Sequence, residues 1–103
     1  MEFTRGETPT YTVDFSTCEI DTTDVSRAVL VAKQLGVERN LTSGIVIDNE
    51  SNTISYHFSQ EETLSFVIGK LQLQLDVVTN DEERSVASRN VVRVVDTIID
   101  EVI

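Results

Sequence analysis

The sequence predicts an α+β fold, in which a small antiparallel sheet of three to five strands is packed by two helices. Short segments that alternate apolar and polar residues predict the strands, and two longer segments with apolar residues at helical spacing predict the helices. A chain of 103 residues has the size of one domain. The predicted order is β-α-β-β, then β-β or α, then α.

The domain is predicted to span residues 10–103, after a flexible polar arm at residues 1–9 that ends at Pro9. Residues 11–15 alternate apolar and polar side chains and predict the first strand. A polar, acidic connection then leads to residue 21.

The first helix is predicted over residues 22–36. Thr22 or Thr23 can cap it, Asp24 lies in its first turn, and Gly36 is a natural stop. Apolar residues recur at helical spacing at Val25, Ala28, Val29, Ala32 and Leu35.

A hairpin is predicted next, with strands at 44–48 and 53–58. The intervening residues 49–52 are Asn, Glu, Ser and Asn, which favour turns.

Residues 59–78 fit two interpretations. A helix would begin with a capping box formed by Ser59 and Glu62. Two strands would turn at Gly69 and Lys70, and they account for Phe66 and Leu73, which a helix would leave on its polar face. The strand interpretation is therefore preferred.

A last helix is predicted from Thr79 or Asn80 onward. Its apolar stripe is wide enough for burial on two sides, so we expect a homodimer in which the second side packs on another copy. The residues expected at that interface are Val92, Val95, Ile99 and Ile103.

No catalytic constellation is present in the sequence. His57 is the only histidine and Cys18 the only cysteine. No nucleophile elbow, phosphate-binding loop, calcium loop or zinc spacing occurs. We therefore expect a binding protein rather than an enzyme, with no cofactor and no metal site, and a buried or idle thiol at Cys18.

The formal net charge of −10 is the most informative feature of the composition. Such acidity disfavours direct binding to nucleic acid or to an anionic membrane surface, since both attract basic patches. The single cysteine, the polar start and the lack of a long apolar run predict a cytoplasmic protein. An acidic domain is suited to a basic macromolecular partner.

The acidic residues occur in blocks near the predicted strand connections and helix ends. These blocks predict the partner-binding residues, which are Asp48, Glu50, Glu61, Glu62, Asp76, Asp81, Glu82, Glu83, Asp96, Asp100 and Glu101.

In size, acidity and dimer-like hydrophobicity, the chain resembles the phage-encoded DNA-mimic proteins, such as the inhibitors of the bacterial nucleoid protein HU. The resemblance rests on no motif. It implies a cytoplasmic inhibitor, in the host cell if viral, that occupies the basic DNA-binding surface of a nucleoid-associated protein. The alternative is a small acidic dimeric chaperone or adaptor that holds a protein client in an apolar groove.

Overall fold

Strands make up most of the protein, whose computed structural model describes residues 1–17 and 19–103. The elements in chain order are β1 (Glu2–Thr4), β2 (Thr10–Asp14), β3 (Val25–Gln34), β4 (Val37–Asn40), β5 (Ile45–Asp48), β6 (Thr53–His57), α1 (Gln60–Ser65), β7 (Gly69–Thr79) and β8 (Arg84–Val95). Short 3-10 turns at Thr22–Asp24 and Thr42–Gly44 precede β3 and β5. The predicted α+β class with two packing helices is therefore wrong.

The strands form two sheets. The larger sheet has the order β1-β8-β7-β3-β4, and the smaller has the order β2-β6-β5. Neighbours pair antiparallel, except for β1, which lies parallel to β8. The long strand β7 is paired along most of its length with β3 on one side and β8 on the other.

The core lies between the two sheets. Alternate residues of β7 point inward, and Leu71, Leu73, Leu75 and Val77 are almost fully buried. A polar contact also joins the layers, because the Tyr11 hydroxyl accepts a hydrogen bond of 2.7 Å from the Asn90 amide. The other buried apolar residues are Phe3, Tyr11, Phe15, Leu30, Ala32, Leu41, Ile54, Tyr56, Phe58, Phe66, Val92 and Val94.

The helix predicted over residues 22–36 is strand β3. The apolar run of this segment satisfies a period of two as well as the helical period, and Leu30 and Ala32 point into the core at alternate positions. Its valines favour an extended chain, and pairing with β7 on one side and β4 on the other decides the outcome. Thr22 and Thr23, which were predicted to cap a helix, lie in the short 3-10 turn before β3. That turn is capped by Asp21, whose carboxylate accepts a hydrogen bond from the Thr23 N–H.

The last predicted helix is also wrong. Residues 80–83 form the turn between β7 and β8, and Arg84–Val95 is a strand. The helical stripe divides between two faces, because Val92 and Val94 are buried whereas Val91 is exposed. Valine side chains pack well in a sheet, whereas a helix restricts their rotamers.

Each interpretation of residues 59–78 is right for one part of the segment. Gln60–Ser65 is a short helix whose capping box joins Ser59 and Glu62 as the helix interpretation expects. Gly69–Thr79 is strand β7, so the alternation from Leu71 onward is confirmed. The strand expected at residues 64–68 is absent, and the turn expected at Gly69 is the start of β7.

Two of the remaining local predictions are confirmed. The strand expected at residues 11–15 is confirmed by β2, and the hairpin expected at 44–58 is confirmed by β5 and β6. Residues 1–9 were expected to form a flexible arm before the domain. Instead, Glu2–Thr4 forms β1, which pairs with β8, and Phe3 is buried against Phe58 and Phe66. Cys18 lies outside the described residues.

Leu35 and Gly36 form the two-residue turn between β3 and β4, with φ angles of 50° and 78°. Two positive φ angles are typical of a type I′ turn, in which Asn-Gly is favoured. Leu35 is also largely exposed, so its side chain gains little by burial.

We expect Leu35→Asn to raise the free energy of unfolding by about 0.5–1 kcal/mol, because it removes the cost of a positive φ at leucine. Chemical denaturation measures the change. Leu35→Ala is the control, since alanine lacks the asparagine preference for this conformation. A loss of stability in Leu35→Asn would contradict the turn.

Gly44 lies against the ring of Tyr56, and a Cβ atom there would come within 2.5 Å of the ring. Because Tyr56 is buried, its ring has little room to move. We expect Gly44→Ala to lower the free energy of unfolding by about 1–3 kcal/mol. The neighbouring exposed change Ser43→Ala should alter it by less than about 0.5 kcal/mol. Equal midpoints in denaturant for the two variants would rule out the close approach.

Candidate binding surfaces

Acidic side chains gather at the end of the molecule where the β5–β6 and β7–β8 hairpins turn. We call this surface the hairpin end. It holds nine of the 18 Asp and Glu residues, and these are Asp14, Glu19, Asp21, Asp24, Asp48, Glu50, Asp81, Glu82 and Glu83. The predicted blocks at residues 48–50 and 81–83 therefore lie at the same end of the fold.

Hydrogen bonds between loops hold the hairpin end together. The backbone N–H of Thr22 donates to the Asn52 amide oxygen at 2.8 Å, and the Thr22 hydroxyl donates to Asn49 at 2.9 Å. On the other side, the N–H of Asn80 donates to the carbonyl of Asp24 at 2.9 Å. The connection before β3 thus bridges the two hairpin turns.

Three carboxylates at the hairpin end are fixed by their own turns. Asp14 and Asp21 accept hydrogen bonds from the backbone N–H two residues further on, and Asp48 accepts from Ser51 and Glu50. These bonds favour the charged form, so the pKa of each carboxyl lies below its ordinary value. These three carboxylates therefore stay charged to a lower pH than an ordinary aspartate.

The two cations nearest the hairpin end do not neutralise it. Arg27 approaches Glu82 at 3.6 Å, and both side chains are largely exposed to solvent. Arg84 instead turns to the solvent face of the larger sheet, where it bonds Asp76. Most of the nine carboxylates therefore face water without a positive partner among the described residues.

A second group of predicted partner-binding residues lies at the opposite end, at Glu61, Glu62, Asp96, Asp100 and Glu101. Arg5 binds Asp96 and Asp100 there, each at 3.0 Å. The bond from the Thr97 N–H and the Arg5 guanidinium hold the pKa of Asp96 below its ordinary value. The predicted set is thus divided between two ends.

Glu62 has a structural role in this group. Its carboxylate accepts a bond from the Ser59 N–H at 2.9 Å and another from the Tyr56 hydroxyl. Burial and the neighbouring carboxylate raise the pKa of Tyr56 to about 12. These bonds tie α1 to the smaller sheet, so Glu62 is already engaged within the protein.

Asp76 lies apart from both acidic ends. It occupies the middle of β7 on the solvent face of the larger sheet, and it is only 7% exposed. Its carboxylate accepts bonds from the Gln74 amide at 2.9 Å and from two Arg84 nitrogens at 2.7 and 2.9 Å. Asp76 is a structural partner of Arg84 rather than an exposed ligand.

The solvent face of the larger sheet, which we call the outer face, carries the opposite charge. Strand alternation places six of the eight Lys and Arg residues on it. They are Arg27, Lys33, Lys70, Arg84, Arg89 and Arg93. The acidic residues on this face are Glu2, Glu38 and Asp76, so the outer face is positive in a protein whose net charge is −10.

Apolar side chains lie among these cations. Val29, Val86 and Val91 are 42%, 53% and 55% exposed, and Val31 is half-buried. A groove of about 450 Å³ crosses this face and is lined by residues of β3, β4, β7 and β8. Sequence reasoning missed this surface because all of these cations except Lys70 fall in the two segments that it predicted as separate helices.

The predicted dimer residues are dispersed by the strand structure. Val92 is fully buried in the core, so it cannot contact a second copy, and Val95 is half-buried. Ile99 and Ile103 follow the last strand and are exposed. The predicted two-sided helix that grouped these residues does not exist.

His57 lies at the end of β6, with its side chain exposed and its Nδ1 2.9 Å from the Thr10 hydroxyl. Within residues 1–17 and 19–103, no group of three His, Cys, Asp or Glu residues is placed to hold a metal ion. Among the same residues, no helix has the length and apolar character needed to cross a bilayer.

Comparison with known proteins assigns no family to this chain. No protein-family model matches the sequence, and a search of the curated proteins yields no significant match.

The pair formed by Asp76 and Arg84 allows a test by pH. Hydrogen bonds from Gln74 and Arg84 lower the pKa of Asp76 in the folded protein, although its burial opposes them. The pair therefore stabilises the fold above the unfolded carboxyl pKa of about 4, and the stabilisation is lost as the pH falls through the lower folded value.

We expect Asp76→Asn to lower the free energy of unfolding at neutral pH by about 1–3 kcal/mol. Denaturation at several pH values should show this difference shrinking below about pH 4. Glu38→Gln is the control, because its exposed pair with Lys33 at 3.9 Å is worth at most about 1 kcal/mol. A difference that persists unchanged at low pH would contradict a charge-dependent role.

Proposed function

We propose that this protein is an acidic binding protein that occupies the basic nucleic-acid-binding surface of another protein. The observation that carries the proposal is the grouping of nine carboxylates at the hairpin end. Two blocks that are separate in the sequence, at 48–50 and 81–83, contribute to one surface. No catalytic role is proposed, and the partner is a nucleoid-associated protein of the cytoplasm, in the host cell if the protein is viral.

The physical basis is the resemblance of a carboxylate surface to a row of phosphates. A basic DNA-binding cleft attracts any matching anionic surface, and this attraction accelerates the encounter as well as stabilising the complex. The turn-fixed carboxylates of Asp14, Asp21 and Asp48 are held in place before binding. Less ordering is therefore needed when the partner binds.

The same charge makes binding to DNA or RNA itself unfavourable at the hairpin end. The outer face is positive, but its cations are interrupted by carboxylates and valines. We therefore propose a protein partner rather than a nucleic acid.

The proposal can be tested by competition with DNA. A labelled DNA duplex is bound to a purified histone-like nucleoid protein such as HU, and its fluorescence anisotropy is followed as the acidic protein is added. We expect displacement at low salt that disappears at high salt, because exposed charges are screened. Failure to displace DNA at any salt concentration would contradict the proposal for this class of partner.

The residues can be tested with two variants of equal charge. Glu50→Gln, Asp81→Asn and Glu83→Gln together remove three charges from the hairpin end. Their side chains make no hydrogen bond or ion pair among the described residues. We expect this triple variant to compete at least about tenfold more weakly, equivalent to about 1.4 kcal/mol.

The matched control carries Glu2→Gln, Glu38→Gln and Glu61→Gln, which lie away from the hairpin end. It should compete almost as well as the unmodified protein. Equal weakening in both variants would show that total charge, rather than the hairpin end, drives the competition.

A chaperone or adaptor, the alternative function, would instead hold an extended client peptide with little dependence on salt.

A further inference from the structure

Two surfaces carry clusters of exposed apolar side chains. One is the outer face, where Val29, Val86 and Val91 lie in the open. The other is the segment 96–103, which follows β8 and which we call the acidic segment. All four of its apolar side chains are exposed, with values of 101% for Ile98, 54% for Ile99, 54% for Val102 and 85% for Ile103. Clustered exposed apolar residues of this kind often mark interaction sites.

The charges of these two surfaces are complementary. The acidic segment places Asp96, Asp100 and Glu101 among its isoleucines. The outer face places cations among its valines, and the side chains of Arg84 and Arg93 are 75% and 77% exposed. The acidic segment and the outer face thus match in two properties: both expose apolar side chains, and their charges are opposite.

The acidic segment cannot reach the outer face of its own molecule in this fold. Arg5 holds Asp96 and Asp100, and the Gln60 amide makes two hydrogen bonds of 2.8 Å with the backbone of Ile103. These contacts keep the segment beside α1, whereas the outer face lies on the far side of the larger sheet. Contact between the two surfaces therefore requires two molecules.

We propose that the acidic segment of one copy docks on the outer face of a second copy. The isoleucine side chains would enter the groove of about 450 Å³ and pack on the valines. Arg89 and Arg93 would lie near the carboxylates of the segment. Arg89 is bonded only to Gln74 among the described residues, so it is available for such a contact.

Each copy offers one segment and one face, so the contact joins unlike surfaces. The hairpin end takes no part in it. Self-association and binding to a basic partner are therefore separable properties, and the first does not depend on the proposed function.

Sedimentation velocity of the full chain tests the proposal. We expect reversible association at about micromolar to millimolar concentrations. It should weaken with salt but persist, because the contact is partly apolar. A protein that stays monomeric throughout this range would overturn the proposal.

Two variants separate the surfaces. The segment variant carries Ile98→Ser and Ile103→Ser, and the face variant carries Arg89→Glu and Val91→Thr. All four positions are exposed, so circular dichroism and denaturation should confirm a native fold. Each variant alone should associate at least about tenfold more weakly, equivalent to about 1.4 kcal/mol.

The mixture of the two variants gives the decisive result. The face variant keeps an intact segment and the segment variant keeps an intact face, so a one-to-one mixture should form a dimer. The absence of this dimer would show that the segment does not dock on the face.

Val37→Thr with Val46→Thr is the control, because both valines are exposed but lie away from the outer face. Val37 points to the opposite side of β4 from Glu38, and Val46 belongs to the smaller sheet. It should associate like the unmodified protein, and so should the hairpin-end triple variant. Loss of association in the valine control would overturn the assignment to the outer face. The segment variant should still compete with DNA for the histone-like protein, because it leaves the hairpin end unchanged. A failure of self-association can therefore be distinguished from a failure of the proposed function.

Discussion

Pairing of β7 with both β3 and β8 is the interaction on which the rest of the structure depends. Leu71, Leu73 and Leu75 of this strand are almost completely buried, and each contributes about 2 kcal/mol through the hydrophobic effect. Because side chains alternate along a strand, a shift of one residue would turn these leucines to solvent. The buried leucines therefore fix the register of β7, and β7 in turn fixes the larger sheet.

The separation of charge follows from that register. Once the leucines point inward, Gln72, Gln74 and Asp76 point outward, and the cations of β3 and β8 come to lie beside them. Most acidic residues lie in turns and connections, which are collected at the two ends of the sheets. The alternation of side chains along β7 and its neighbouring strands thus produces a positive face on an acidic protein, with a negative end on either side of that face.

Clustered carboxylates repel one another, and this repulsion opposes the compact fold. The protein reduces the cost in two ways. Asp14, Asp21 and Asp48 accept backbone hydrogen bonds at turns, while Arg5 bridges Asp96 and Asp100. Local bonding therefore offsets part of the repulsion at the two negative ends, while the carboxylates remain exposed to solvent.

The sequence by itself determined three features, which are strand β2, the hairpin of β5 and β6, and the total charge. It offered the capping box of Ser59 and Glu62 only in the interpretation of residues 59–78 that it did not prefer. Each of these features depends on neighbours in the chain or on composition. Only the tertiary structure decided that residues 25–34 and 84–95 are strands, and therefore that the cations share one face. Their apolar runs satisfy a period of two and a period of 3.6, so local pattern leaves the choice open. Hydrogen bonds to β7 make that choice. β7 lies far from residues 25–34 in the sequence, whereas it precedes residues 84–95 across the turn at residues 80–83.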